Sequence, residues 1–372
     1  MLHVVEALGA GVGRHVTDVV RHATGVRHEV VAGSHHSRWD TPDDPAARFE
    51  DAGALVHRVE MRRAPQHPAN ALAVRAVRRL IATRRPAVVH GHSAIGGAVA
   101  RIAAWRAPVT RVYTPHGVYP HRVAIATERL LGRRTDHLIA VSDSERELVT
   151  ALGLVPPHRI RVVRNGIEGT APPDARDLRA ELGIPAGAPL VVSVARLEPQ
   201  KAPEVFVAAA AHLSPSLPGA HFLLVGAGPL DGAVADAVHA ADVGGRFHRL
   251  PYVAEVGALM SQFDVLVLTS RYEGLPYVAL EAMRAGVPVV ATDVVGTRDA
   301  VVHGVTGVLV PPDDAAAVAD AARWMLTAPQ TAASFGRAGA SRVRDRFDVR
   351  AMAAALDDLY LRSAAELSAT RR

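Results

Sequence analysis

The sequence predicts an α/β protein built from two Rossmann-like, doubly wound domains facing a cleft. Three observations predict it. Short apolar runs alternate with helix-like segments along the whole chain, the pattern of parallel strands buried on both faces and wrapped by helices. The 372 residues, 49% of them hydrophobic, suffice for two cores of ordinary size. A stretch rich in Gly, Pro and Asp at 165–189 then divides the chain as a linker would.

Strand candidates in the first half are 2–8, 29–32, 55–61, 87–90, 109–114, 137–141 and 160–163. Those in the second half are 190–195, 222–225, 247–250, 265–269, 287–291 and 307–310. Domain boundaries follow at 1–165 and 166–346, with a short helix at 177–182 in the linker. Beyond Pro311 only helical patterns occur, and the amphipathic helix inside 347–372 has no strand of its own domain left to cover.

Composition narrows the function. There is no cysteine, which excludes a disulfide framework, a zinc–thiolate centre and a Cys nucleophile. Residues 1–165 carry 24 Arg against 14 Asp and Glu, a balance of +10, and residues 166–372 carry 18 basic and 23 acidic residues, a balance of −5. The first half therefore faces something anionic, either a membrane surface or an acidic acceptor. With 4% aromatic residues, the stacking platforms of a nucleic-acid binder are missing. The first nine residues carry no basic leader, and no apolar run reaches eighteen residues, so the expected location is cytoplasmic, with peripheral contact at the inner face of the membrane. The helix expected at 72–85 sets Leu72, Ala76, Leu80 and Ile81 on its apolar face and Arg75, Arg78, Arg79, Arg84 and Arg85 on others.

Of the 42 basic residues, 41 are arginine, and Lys201 is the single lysine. A coding background that turns Lys into Arg wherever the two are interchangeable has spared this one. A compact ammonium offers phosphate a point charge where a planar guanidinium is too large.

Gly9, Gly11 and Gly13 are expected between the first strand and its helix, where glycine lets backbone approach a phosphate. The second strand ends in Ala32, Gly33 and Ser34 with no acid for an adenosine ribose, which disfavours a nicotinamide oxidoreductase. Most of the nineteen histidines, His35 and His36 included, read as loop or surface residues. His90 and His92 have the spacing of a metal pair, but no neighbouring Cys, Asp or Glu completes a set, and His92 is read as structural or acceptor-side. His116 stands apart, because Pro115 and Gly117 shape a turn at a strand end that lifts it toward the cleft.

In the second half, Arg196 and Lys201 lie five apart across a strand-to-helix turn, and Gly226 and Gly228 follow the next strand. The segment 264–292 holds the most information. A buried strand leads into a tight loop with Glu273, Gly274 and Leu275. Pro276 is expected at the first helical position, Gly286 at a left-handed cap, and Pro288 after it. The helix aims the N–H groups of Tyr277, Val278 and Ala279 at the carboxyl edge of the sheet, making an anion site. Glu273 and Glu281 flank it. Carboxylates accept hydrogen bonds from hydroxyls, so the pattern suits a ligand with sugar, diphosphate and ribose in line.

With these residues in hand, the chain resembles the retaining glycosyltransferases of family 4, which have the GT-B fold. The likeness runs through VVHGHS, TPHG, HLIAVS, VVRNGI, SVARLEPQK, LVGAGP, EGLPYVALEAMRAGVPVVAT and VTGVLVPPDD. It implies transfer of a sugar from a nucleotide diphosphate donor to a hydroxyl-bearing glycan, lipid-linked or small-molecule acceptor, with no cofactor and no metal. It makes Arg196 and Lys201 diphosphate clamps, Glu281 the ribose ligand and Glu273 the partner of donor-sugar hydroxyls. His116 stands near the reacting sugar, the Gly9–Gly11 loop closes on the β-phosphate, Tyr252 and Val253 meet the base through backbone, and the terminal helix crosses back onto the first domain. The sequence departs from the family pattern at Ala10, at Ala202, where glycine is common, and at Val295 and Asp299.

The mechanism expected from these residues is electrostatic. Negative charge growing on the β-phosphate is stabilised by Arg196, Lys201 and the helix N-terminus, and no Asp-x-Asp pair occurs in the chain to hold a metal. The alternatives are a sugar-nucleotide epimerase of the same build and a binding-only module, which has little need of Glu273 and His116.

Overall fold

A computed structural model describes residues 1–33, 44–170, 176–243, 245–253 and 255–370. His35, His36 and Ser34 lie outside the described residues. The chain forms two compact units, Met1–Gly166 with Val349–Arg372, and Ile167–Asp348.

The first unit holds a seven-stranded parallel sheet in the order β3-β2-β1-β4-β5-β6-β7. Its strands are β1 (Leu2–Val5), β2 (Glu29–Gly33), β3 (Leu55–Val59), β4 (Val88–His92), β5 (Thr110–Thr114), β6 (His137–Ala140) and β7 (Ile160–Val162). The second unit holds a six-stranded parallel sheet ordered β10-β9-β8-β11-β12-β13. There the strands are β8 (Leu190–Val194), β9 (His221–Val225), β10 (Phe247–Leu250), β11 (Val265–Leu268), β12 (Val289–Thr292) and β13 (Gly307–Val310). Each expected strand exists, and both units have the doubly wound build that the alternation implied.

Differences at the ends have local causes. β4 runs on to His92, so both histidines of VVHGHS stand within the sheet, and β12 starts only at Val289 because Val287 is taken by a helix cap. The helix Pro68–Arg84 buries Ala69, Ala73, Val77 and Ile81, spaced four apart, and leaves Leu72 59% exposed, so the apolar face lies one position round from the expected one.

The terminal helix Val349–Thr370 belongs to the first unit. Its Val349, Met352, Ala353, Leu356, Leu359 and Tyr360 share a core with Val19, Val88, Val112 and Ile139. In the second unit the helix Pro203–Leu213 packs Val205, Phe206, Ala209 and Leu213 onto Phe222, Leu224, Val265 and Val267. Among the described residues no helix is long and apolar enough to cross a membrane.

Candidate active site

In both sheets the strand order reverses beside the first strand of the unit, between β1 and β4 and between β8 and β11. Ligands of open α/β sheets bind at the carboxyl ends of strands at such a reversal. The loops leaving β8 and β11 carry Arg196, Lys201 and Glu273. Those leaving β1 and β5 carry Gly9 and His116, and β4 ends at His92.

In the second unit the loops after β8 and β11 are tied together by backbone and side chain. The Arg271 N–H donates to the Gln200 carbonyl (2.8 Å), the Gln200 amide donates to the Tyr272 carbonyl (2.9 Å), and the Thr269 hydroxyl donates to the Lys201 carbonyl (2.8 Å). On this frame the Lys201 ammonium meets Glu273 Oε1 at 2.5 Å, and the Ser270 hydroxyl donates to the same oxygen at 2.6 Å. The Glu273 side chain is 8% exposed and that of Lys201 21%, so the pair is partly shielded from water. The Arg196 guanidinium instead pairs with Glu198 at 2.8 Å, a residue of its own loop.

The helix Tyr277–Arg284 begins one residue later than expected. Pro276 is its N-cap, with φ −72° and ψ 117°, and is not the first helical residue. The Ala279 N–H turns back to the Pro276 carbonyl at 3.2 Å, so the last of the three expected anion donors is spent within the helix. At the other end, Gly286 is left-handed (φ 76°), its N–H bonds to the Met283 carbonyl at 3.0 Å, and the Val287 N–H bonds to the Ala282 carbonyl at 2.9 Å, a complete Schellman cap. Glu281 is buried on this helix. Its Oε1 lies 2.9 Å from where a Cβ on Gly257 would stand, which puts it beside the loop that follows Tyr252 and Val253.

Several glycines around the site leave room for neighbouring backbone. A Cβ on Gly226 would stand 1.9 Å from the Ala195 carbonyl oxygen and one on Gly228 2.5 Å from that of Leu197, so both let the loop after β9 close against the loop after β8. Gly296, left-handed at φ 82°, does the same against Gly274, whose carbonyl oxygen is 2.2 Å from the would-be Cβ. In the first unit the helix already starts at Ala10, so only Gly9 stands in the loop, as the N-cap, and Gly11 and Gly13 are helical. A Cβ on Gly13 would lie 1.8 Å from the Leu8 carbonyl oxygen, so this glycine lets helix and loop touch.

The main surprise of the first unit is histidine. His3 and His90 are in register on β1 and β4, and His92 is in register with Thr114 on β5. His3, His15, His28, His90 and His92 are buried. Hydrogen bonds link His28 to His3 (3.0 Å), His3 to His92 (3.0 Å) and His92 to His116 (3.2 Å), and His15 stands edge-on to His116 with ring centroids 4.6 Å apart. Burial pushes every one of these rings below its ordinary pKa, His15 to about 4, so they are neutral at pH 7. Among the described residues no Cys, Asp or Glu joins His90 and His92, but histidines from other elements gather around them. His3 with His90 and His92, and His15 with His92 and His116, bring ligand atoms within 4.8 Å. His3 and His92 already spend ring nitrogens on each other, and His90 bonds Tyr360 (2.7 Å) and Thr114 (2.8 Å).

His116 has φ 57°, a strained value for a residue with a Cβ, and is followed by Gly117 at φ 106°. The turn is held by Glu145, a fully buried acid that sequence reasoning missed. Its carboxylate accepts from the Gly117 N–H and the Val141 N–H, both at 2.7 Å. The signal was present: Ser142 accepts from the Glu145 N–H at 3.1 Å, and Ser-x-x-Glu is a helix-start pattern. His3 was legible too, as a polar residue inside the apolar run LHVV.

Comparisons with known proteins agree with this architecture. The family described as "Glycosyl transferase 4-like domain" matches residues 10–166, and "Glycosyl transferases group 1" matches 174–342. D-inositol 3-phosphate glycosyltransferase 2 of Catenulispora acidiphila is 32% identical over 317 residues, covering 76% of this chain and 72% of its own. The glycogen synthase of Mycobacterium tuberculosis is 33% identical over 290 residues, covering 74% and 69%. Among solved structures, Anabaena HepE superposes with a TM-score of 0.82 at 21% identity over 96% of this chain and 98% of its own. Sucrose-phosphate synthase from Thermosynechococcus elongatus gives 0.82 at 23% over 98% of each. Two parallel Rossmann-like units, matched family descriptions over both of them and relatives above 30% identity lead to one conclusion: the chain belongs to the family 4 type of glycosyltransferases.

Proposed function

We propose that the second unit binds a nucleotide diphosphate sugar and that the protein transfers the sugar to a hydroxyl acceptor with retention of anomeric configuration and without a metal ion. The observation that carries this reading is the Lys201–Glu273 pair at the carboxyl edge of β8 and β11, next to the N-terminus of the helix Tyr277–Arg284. A cation, a helix N-terminus and a hydroxyl-accepting carboxylate in that order match phosphate followed by sugar. HepE, which shares the fold, has been crystallised with UDP and glucose and with UDP-glucose, and this supports a uridine nucleotide sugar as the first donor to try.

As the anomeric C–O bond breaks, charge moves onto the leaving phosphate, and Lys201, Arg196 and the N–H groups of Tyr277 and Val278 lower its energy. Arg196 leaves Glu198 for the phosphate in this reading, and Lys201 turns partly from Glu273. The carboxylate so released takes hydroxyls of the donor sugar. Glu281 holds the ribose, with the backbone around Tyr252 and Val253 meeting the base. Gly226 and Gly228 keep the loop after β9 tight behind Arg196, and Gly274 and Leu275 form the turn before Pro276. In the first unit, the Gly9–Gly11 segment approaches the β-phosphate and His116 takes a hydroxyl of the reacting sugar. The acceptor is anionic or membrane-borne, in keeping with the +10 balance of residues 1–165.

A thermal-shift panel of nucleotide sugars with UDP, GDP, ADP and dTDP tests donor binding, because a ligand of the native state raises stability by RT ln(1 + [L]/Kd). A stabilising donor is then incubated with and without EDTA and candidate acceptors, and the product anomer is read by NMR. An inverted product, or conversion of the donor with no acceptor present, refutes this reading.

A further inference from the structure

We infer that His28, His3 and His92 are positioning residues that fix the tautomer of His116, holding its proton on Nε2 and leaving the Nδ1 lone pair to accept a hydrogen bond from a substrate hydroxyl. The chain of contacts begins at a group that has no choice. The Ala23 carbonyl can only accept, and His28 Nε2 lies 2.6 Å from it, so His28 carries its hydrogen on Nε2. A neutral imidazole has one hydrogen, and His28 Nδ1 is then an acceptor. It faces His3 Nε2 at 3.0 Å, which must donate. His3 Nδ1 in turn accepts from His92 Nε2 at 3.0 Å, and His92 Nδ1 accepts from His116 Nε2 at 3.2 Å.

One carbonyl thus orders four rings, and every hydrogen points back toward Ala23. The opposite order needs a second proton on His28, which its burial opposes. Rings near the chain do not compete for its links. His90 spends both nitrogens on Tyr360 and Thr114, whose hydroxyls adapt to either tautomer, and His15 Nδ1 is bonded to Asn165 Oδ1 at 3.1 Å. Of the four ordered rings, His28, His3 and His92 are buried and His116 is only partly so, and it sits on the strained turn that Glu145 holds. A tautomer left to solvent would be a mixture; here it is set by a group four links away. The consequence for activity rests on the glycosyltransferase reading of His116, but the tautomer itself does not.

The test is nitrogen NMR on the full-length protein with 15N-labelled histidine at pH 7.5, without substrate, His116 being assigned by its loss in His116→Asn. The ring nitrogens of His116 should resolve as one protonated Nε2 and one bare Nδ1. In His28→Phe, which can neither bond Ala23 nor accept from His3, the two signals should move toward each other as the tautomers mix. His28→Gln, which can donate and accept as His28 does, should restore the wild-type pattern. If nucleotide-sugar turnover is measured alongside, kcat should fall about tenfold in His28→Phe with donor KM little changed, and recover in His28→Gln. A proton on His116 Nδ1 in the wild type, or an unchanged pattern in a folded His28→Phe, overturns the inference. Because the spectrum is recorded without ligand, an ordered tautomer together with no nucleotide-sugar binding would refute the functional reading alone.

Discussion

Lys201 Nζ lies 2.5 Å from Glu273 Oε1, so the single lysine of the chain and the acid ahead of the Tyr277–Arg284 helix form one ion pair. The ammonium fits a narrow place, because Ser270 already donates to the same oxygen and the Lys201 backbone is fixed by Thr269. A guanidinium is wider, planar and fork-shaped. Lys201→Arg should therefore keep the fold and the charge yet lose about ten- to a hundredfold in kcat/KM, roughly 1–3 kcal/mol of transition-state stabilisation. Wild-type kinetics in this variant would show that the lysine carries no such constraint.

The two glutamates should separate kinetically. Glu281 is placed against the segment around Gly257 and is assigned to the unreacting ribose. Glu281→Gln should raise donor KM about tenfold with kcat nearly unchanged. Glu273→Gln should lower kcat while the nucleotide diphosphate alone binds about as well as to wild type. Calorimetry with that diphosphate decides. Equal losses of affinity in both variants would mean that the phosphates do not lie between the two acids.

Turnover should survive EDTA, since Arg196, Lys201 and the helix N-terminus provide the positive field that a metal would otherwise supply. Loss of turnover on chelation, restored by Mg²⁺ or Mn²⁺, would refute the metal-free mechanism.

Acid should destabilise the first unit. The buried histidines have folded pKa values below the unfolded value of 6.5, with His15 at about 4. Below pH 6.5 the unfolded chain binds protons that the folded one refuses, so stability is full above that pH and falls as pH drops. His15 by itself contributes a loss of roughly 3 kcal/mol between pH 6.5 and 4. Denaturant titrations at pH 7.5, 6 and 5 measure it, and His15→Asn should flatten the slope. A stability independent of pH across this range would mean that the rings are not held neutral.

Gly226→Ala should cost about 3 kcal/mol or more, because its Cβ meets a backbone oxygen at 1.9 Å that cannot swing aside. Gly187→Ala is the control. It has φ 77° and nothing within 4 Å, so only the left-handed penalty of about 1 kcal/mol applies. Similar Tm losses in the two variants would remove the packing role given to Gly226.

The strands, their parallel order of appearance and the Glu273–Glu281 block were legible in the sequence because they depend on local patterning. An apolar run between turn residues forms a buried strand whatever it pairs with, and the Gly286–Pro288 pair ends a helix by backbone sterics alone. Tertiary structure decided what no local window contains. His90 bonds Tyr360 across 270 residues, and His3 meets His92 across 89, so their burial depends on strand register and on the return of the terminal helix. The spacing of Gly226 and Gly228 marks a close-approach loop after a strand, and only the course of a second loop shows that they make room for Ala195 and Leu197. Arg196 and Lys201 are expected to share one role, but Arg196 bonds within its own loop while Lys201 reaches the next strand's. The physical reason is common to all three. Backbone preference acts over a few residues and can be read from them, whereas the partner that a polar side chain finds once buried depends on which distant segment the packed sheet brings beside it.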